Sequence, residues 1–305
     1  MKIYVAGHQG LVGSAIVRKI DLDTTHTWVA KSRSELNLFD SQAVSSFIGL
    51  EKPDAIIIAA AKVGGIGANS AFPVEFLTEN LRIELNLLEA AHQNNVNRVV
   101  FLGSSCIYPK LADQPIAEDA LLTGLLEPTN EPYAIAKIAG IKLAQAYSSQ
   151  YGRDWISLMP TNIYGPGDKY DRDLSHVLPA LIHKFHYAKN SGLGSVELWG
   201  TGEPKREFLY SDDLADACIF LLENYHSPEP INVGVGRDIS IKELAEKIKR
   251  VVGFNGEIVW NSSKPDGTPR KILDVSRLTK LGWVATTSLD DGLRLTYQDY
   301  LSTLK

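Results

Sequence analysis

The chain has 305 residues, 44% of them hydrophobic, enough for one large domain or two modest ones around a sizeable core. Its 31 basic and 36 acidic side chains leave a formal charge of -5 with no basic block or stripe, which argues against a nucleic-acid partner. Two cysteines are too few for a disulfide framework and no Cys/His spacing suggests a metal; without a signal-peptide layout or a long apolar run, the chain reads as a soluble cytoplasmic protein with no membrane contact.

Residues 3–6 form a short apolar strand that runs into Gly7-His8-Gln9-Gly10-Leu11-Val12-Gly13 and then an amphipathic helix to about Ile20. Glycines at a strand-to-helix turn allow close backbone approach, and the free N–H groups of the helix start suit a pyrophosphate. The spacing is GxxGxxG in place of the usual GxGxxG. A second strand at 27–30 ends in Lys31-Ser32-Arg33, where an NAD site would carry a carboxylate. Cations there, Arg33 above all, favour the 2'-phosphate of NADP. Asp40 can cap a helix reaching about Leu50, and residues 55–61 read as a buried parallel strand that empties into Lys62-Val63-Gly64-Gly65. A long helix follows over 73–94, with apolar residues at 77, 81, 85 and 88.

The strand at 97–103 delivers Ser104-Ser105-Cys106-Ile107-Tyr108-Pro109 to the edge where open α/β sheets bind ligands. Ser104 is there either a turn residue or a hydrogen-bond donor to substrate. Downstream, Asn130 can cap a helix with Pro132 in its first turn. On that helix Tyr133 and Lys137 share one face, within about 6 Å of each other. An ammonium there should lower the phenol pKa and make the pair a proton relay for a ketone, although many helices carry this spacing by chance. A strand at 154–159 leads into Pro160-Thr161-Asn162-Ile163-Tyr164-Gly165-Pro166. The alternation over residues 1–165 predicts an α/β fold with a doubly wound parallel sheet.

Beyond Gly165 the alternation weakens. A charged loop spans 168–173, Ser175 is placed to cap a helix to about Lys189, and His176 stands at that helix start, a position where a histidine is usually incidental. A strand at 196–200, a helix ending at Asn224, a strand-like 232–234 and a Ser240-Ile241-Lys242-Glu243 capping box follow. Residues 166–305 therefore read mainly as a smaller mixed α/β domain over the ligand edge, with some segments free to return to the first domain. Arg206, Lys264, Arg270 and Lys271 could meet phosphates there, and Trp199 a base, although each also suits ordinary surface or core.

Together, the glycine turn, Ser104, Tyr133-x-x-x-Lys137 and Asn162-x-x-Gly165-Pro166 resemble the extended short-chain dehydrogenases/reductases that act on nucleotide sugars. The similarity continues through Ala60-Ala61-Lys62-Val63-Gly64-Gly65-Ile66, Glu127-Pro128-Thr129-Asn130-Glu131-Pro132 and Lys264-Pro265-Asp266-Gly267-Thr268-Pro269-Arg270-Lys271, essentially end to end. It implies a Rossmann-type sheet, NADPH as hydride donor and GDP-4-keto-6-deoxy-D-mannose as substrate, inverted at C3 and C5 and then reduced at C4. It further implies that Ser104, Tyr133 and Lys137 form the reductase triad, with Cys106 as base and His176 as acid for the inversions. For the cofactor it implies Gly7, Gln9, Gly10, Leu11, Val12, Gly13, Arg33, Ala60, Lys62, Pro160, Asn162 and His176 beside Tyr133 and Lys137. For the GDP-sugar it implies Asn162, Lys184, Trp199, Arg206 and Lys271. A homodimer through the 73–94 and 131–151 helices and no metal are implied as well. Gln9 departs from the arginine common in this turn, which weakens the preference for NADPH over NADH. Two other readings stay open, a 4-epimerase or 4,6-dehydratase that returns its hydride, and a scaffold that has lost the chemistry.

Overall fold

The computed structural model describes residues 1–170, 175–264 and 266–304, so that part of the charged 168–173 loop, and Pro265 of the Lys264–Lys271 stretch, lie outside the described residues. Six parallel strands form the central sheet in the spatial order Thr27–Val29, Lys2–Ala6, Ala55–Ile58, Arg98–Leu102, Asp154–Pro160, Ile231–Val233. Ala55, Ile56, Ile57 and Ile58 are each fully buried, as a strand covered on both faces requires. The chain order reverses between Lys2–Ala6 and Ala55–Ile58, and that switch point opens a crevice at the carboxyl ends of the strands.

Helices Leu11–Leu22 and Ser211–Asn224 cover one face of the sheet, with Ile16, Ile20, Leu214 and Cys218 in one core. Helices Ser41–Glu51, Pro73–Gln93 and Glu131–Tyr151 cover the other, packing Val44, Leu87, Leu88 and Ile141. In the Pro73–Gln93 helix the core face takes in Leu88 but not the other apolar positions 77, 81 and 85. It runs through Phe76, Asn80, Ile83, Glu84, Leu87, Leu88 and Ala91, and Leu85 is 49% exposed. Two polar residues, Asn80 and Glu84, sit inside that face, so hydropathy alone does not mark it.

A third core gathers Tyr164, Leu178, Phe185, Leu198, Phe208, Leu244 and Leu293. Here strand Lys205–Tyr210 pairs with Asn162–Tyr164, Asp238–Ser240 and Arg270–Lys271, while Ser195–Trp199 pairs with Glu257–Asn261. The Ser240–Glu243 capping box forms as the sequence predicts. Buried Glu207 ties this part to the sheet by accepting from the backbone N–H groups of Val235, Gly236 and Leu273.

Candidate active site

The turn after the first strand is built for close approach. Gly7 has φ +89°, and a Cβ on it would lie 2.6 Å from the Ala60 nitrogen. A Cβ on Gly13 would lie 2.1 Å from the Gly7 carbonyl oxygen, so only glycine fits either place. Gly10 caps the Leu11–Leu22 helix without a side chain, leaving the amides of Leu11, Val12 and Gly13 at the head of the helix. Gln9 is exposed on the turn. Past the edge strand, Lys31 pairs with Glu35 at 3.4 Å, whereas exposed Arg33 stacks over the Phe39 ring at 5.7 Å. No carboxylate among the described residues pairs with Arg33, so its charge is the available one for a phosphate. Ala60, just past the strand Ala55–Ile58, borders the turn, and Lys62 follows it. Fully buried Asn80 accepts from the Lys62 N–H at 2.8 Å and donates to the Lys62 carbonyl at 3.1 Å, and Lys62 Nζ pairs with Glu79 at 2.7 Å.

The strand Arg98–Leu102 carries Ser104 to its carboxyl end, where a short helical turn at Ser105–Ile107 follows. Ser104 Oγ accepts from the Cys106 N–H at 3.2 Å. Across from this loop the Glu131–Tyr151 helix begins, placing Tyr133 and Lys137 on one face, with Lys137 Nζ 6.0 Å from the Tyr133 ring centre. Lys137 Nζ donates to the Leu102 carbonyl at 2.9 Å and lies 4.8 Å over the Phe101 ring. It also meets Glu84 Oε1 at 3.2 Å, and both side chains are 2% exposed. Gly140 makes room for this pair, since a Cβ there would lie 2.7 Å from Glu84 Oε2 and 2.4 Å from Phe101 Cζ.

The expected fall in the Tyr133 pKa is not found. Burial drives the phenol pKa well up, and the negative charges of Cys106 and Glu84 push the same way, against a lowering by the Ser104 hydrogen bond. The physical reason is first the burial of the phenol, with nearby negative charge adding to it, while the Lys137 ammonium is met by the Glu84 carboxylate. Burial raises the pKa of Glu84 too, with Lys137 opposing it. Tyr133 is therefore held protonated, which suits a proton donor.

Asn162 Nδ2 donates to the Glu207 carbonyl at 2.8 Å, and Thr161 N–H to the Val233 carbonyl at 3.0 Å, fixing the Pro160–Asn162 corner at the sheet edge. Cys106, Lys110, Glu127, Thr268 and Lys271 line one narrow cleft. Lys271 stands opposite Arg206 in the strand register, and burial lowers the Arg206 pKa while Glu127 raises it. Arg270 is committed to Asp238 at 2.6 Å. Trp199, 62% exposed, has Lys184 at 5.8 Å and Lys264 at 5.4 Å from its ring centre, a flat face flanked by cations. His176, not Ser175, occupies the N-cap of helix Val177–Asn190. Its ring is exposed yet crowded by protein, and desolvation lowers its pKa. With the described residues His176 makes no hydrogen bond or ring contact, whereas His183 and His186 are bonded to Tyr300 and Tyr297.

Against known proteins, the model of the NAD-dependent epimerase/dehydratase family matches residues 3–234. The chain belongs to that family. Within the epimerase/dehydratases it is 56% identical to GDP-L-fucose synthase 1 of Arabidopsis thaliana, covering 99% of this chain and 94% of that protein. It is 53% identical to GDP-L-fucose synthase of Escherichia coli K12, covering 98% and 96%. A crystal structure of a GDP-L-fucose synthetase from Naegleria fowleri bound to NADP superposes with a TM-score of 0.92 at 29% identity, covering 99% and 94%.

Sequence reasoning missed three polar groups of this epimerase/dehydratase site: Asn80, Glu84 and Asn130. Asn80 and Glu84 are four apart on the buried face of one helix, a signal visible as polar residues interrupting an apolar face. Asn130 carries no such signal. It holds the N-cap position, but its side chain makes no cap bond; Nδ2 donates to Cys106 Sγ at 3.2 Å instead. Among the described residues no helix is long and apolar enough to cross a membrane, and no group of three or more His, Cys, Asp or Glu is placed to hold a metal.

Proposed function

We propose that this protein converts GDP-4-keto-6-deoxy-D-mannose to GDP-L-fucose by 3,5-epimerisation and NADPH-dependent reduction at C4. The observation that carries the reading is the joining of Cys106 to the Ser104, Tyr133 and Lys137 group on one loop and helix start. A reductase alone has no need of a thiol there. Support also comes from the likeness to GDP-L-fucose synthases over nearly the whole chain.

The glycine turn fits a dinucleotide, since Gly7 and Gly13 leave space that any Cβ would fill. Gly7, Gln9, Gly10, Leu11, Val12 and Gly13 hold the pyrophosphate, Arg33 the 2'-phosphate, and Ala60, Lys62, Pro160, Asn162 and His176 the remainder, with Lys137 on the nicotinamide ribose. When bound, NADPH supplies hydride to C4. Protons at C3 and C5 are acidic because the 4-ketone stabilises the enolate formed on losing either. At each of the two carbons Cys106 takes the proton as thiolate and His176 delivers one to the opposite face, the thiol giving up its proton to solvent and the imidazole taking one back between the two inversions. Desolvation disfavours imidazolium at His176, so its acid role relies on the negative diphosphate of the substrate to favour the charged ring. Ser104 hydrogen-bonds the C4 oxygen and Tyr133 protonates it. Arg206 and Lys271 face the diphosphate, Lys184 and Asn162 assist, and Trp199 stacks on the base.

In this reading residues 166–305 form mainly the substrate-binding part, with Ser211–Asn224 and Ile231–Val233 returning to the nucleotide-binding part of residues 1–165. A homodimer forms through helices Pro73–Gln93 and Glu131–Tyr151, whose outer faces leave an apolar groove lined by Leu81, Leu85, Ala139 and Leu143. The test supplies the keto sugar and NADPH and follows both cofactor oxidation and product configuration. Oxidation in step with GDP-L-fucose formation is expected, and an absence of oxidation would refute the proposal.

A further inference from the structure

Asparagine is among the best N-cap residues because its side-chain oxygen can accept from the first free N–H groups of a helix. Asn130 stands at the N-cap of Glu131–Tyr151 and makes no such bond. Its Nδ2 lies 3.2 Å from Cys106 Sγ, close for an N–H donor to sulfur, and its Oδ1 is buried without a partner among the described residues. Rotating the amide by half a turn would aim that oxygen at the sulfur and leave the two-donor NH2 in the unpartnered position, so the orientation with nitrogen on sulfur satisfies more of the group. The helix thus forgoes a side-chain cap to place a hydrogen-bond donor on a thiol.

We propose that Asn130 is a positioning residue for Cys106, its amide N–H holding the sulfur as thiolate and aiming it into the cleft, so that it serves proton removal at C3 and C5. The second half of this rests on the function proposed above. A donor aimed at sulfur favours the anion over the thiol, and the thiolate is the reactive form. The Cys106 N–H is already engaged with Ser104 Oγ, so the loop is fixed from both sides, by Ser104 at the backbone and by Asn130 at the sulfur. A charge at Cys106 also raises the Tyr133 pKa.

The test is the rate at which iodoacetamide, a neutral reagent, alkylates Cys106 in the full-length protein at fixed neutral pH. Cys218 is fully buried, and a Cys106→Ser variant supplies the blank. Asn130→Ala should slow alkylation roughly tenfold, the usual worth of a hydrogen bond to a charged group. Asn130→Asp, as good a helix cap as asparagine, should slow it at least as much because a carboxylate then faces the sulfur. General loosening of the fold would speed alkylation and expose Cys218, so it cannot imitate this result. Deuterium uptake from solvent at C3 and C5 of the keto sugar should fall by the same factor, while affinity for NADPH stays unchanged. Alkylation at the unsubstituted rate in both variants would overturn the coupling of Asn130 to Cys106. Slowed alkylation with unchanged deuterium uptake would overturn the link to proton removal and with it the assignment of Cys106 as base.

Discussion

Removing the Glu84 carboxylate should destabilise the protein far more than a typical substitution. Glu84 Oε1 lies 3.2 Å from Lys137 Nζ and both side chains are 2% exposed, so solvent scarcely screens the pair. At an effective dielectric of about 20, two unit charges at that separation attract by roughly 5 kcal/mol, most of which offsets their desolvation. In Glu84→Gln the shape is kept, but the ammonium stays buried with the Leu102 carbonyl and the Phe101 ring as its remaining contacts. Breaking one side of such a pair costs about 3–5 kcal/mol, a large fraction of the usual 5–15 kcal/mol of a whole domain. Urea unfolding followed by tryptophan fluorescence would measure it, with Glu84→Gln/Lys137→Met regaining most of the loss because no charge is then left unanswered. A loss below about 1 kcal/mol, or a double variant as unstable as the sum of the singles, would refute the reasoning.

Gly13→Ala should abolish NADPH binding in a fluorescence titration, because the new methyl would sit 2.1 Å from the Gly7 carbonyl oxygen; affinity within twofold would contradict the glycine cradle. Arg33→Ser should lower the preference for NADPH over NADH about tenfold or more in kcat/KM, and an unchanged ratio would remove Arg33 from the 2'-phosphate site. Asp168 offers a pH test, since burial pushes its carboxyl pKa from 3.8 up to about 7 and Oδ2 has no partner among the described residues. Between those values the unfolded chain has released a proton that the folded chain keeps, so stability falls as pH rises through the window and levels off above it. Asp168→Asn should remove that slope and gain up to about 4 kcal/mol at pH 8 relative to pH 4. A variant with the original slope would show that Asp168 does not titrate as described.

Much of the scaffold was legible because its signals are local. The apolar run that became Ala55–Ile58, the glycines after Ala6 and the Ser240–Glu243 box depend on neighbours a few residues away. The spacing of Tyr133 and Lys137 likewise placed both on one face. What escaped depends on partners distant in sequence. Nothing near Tyr133 and Lys137 announces the burial that drives the phenol pKa up, or that Glu84, on another helix, will meet the ammonium. Asn130 reads as a cap until the Ser104–Cys106 loop is folded against it. On the Pro73–Gln93 helix Asn80 and Glu84 make the inner face look polar, while Leu81 and Leu85 line an outer groove. The short strand Ile231–Val233 likewise completes the central sheet from a distance of some seventy residues beyond Pro160, a pairing that only the tertiary fold decides.

The central claim is that two chemistries share one cleft, with Cys106 opening the reaction and Tyr133 closing it. Deuterium uptake from solvent into GDP-4-keto-6-deoxy-D-mannose by a Tyr133→Phe variant tests it most directly. The account predicts that exchange at C3 and C5 continues at close to the unsubstituted rate while NADPH oxidation is lost. Loss of both together would contradict it, making Tyr133 a residue that only positions the substrate.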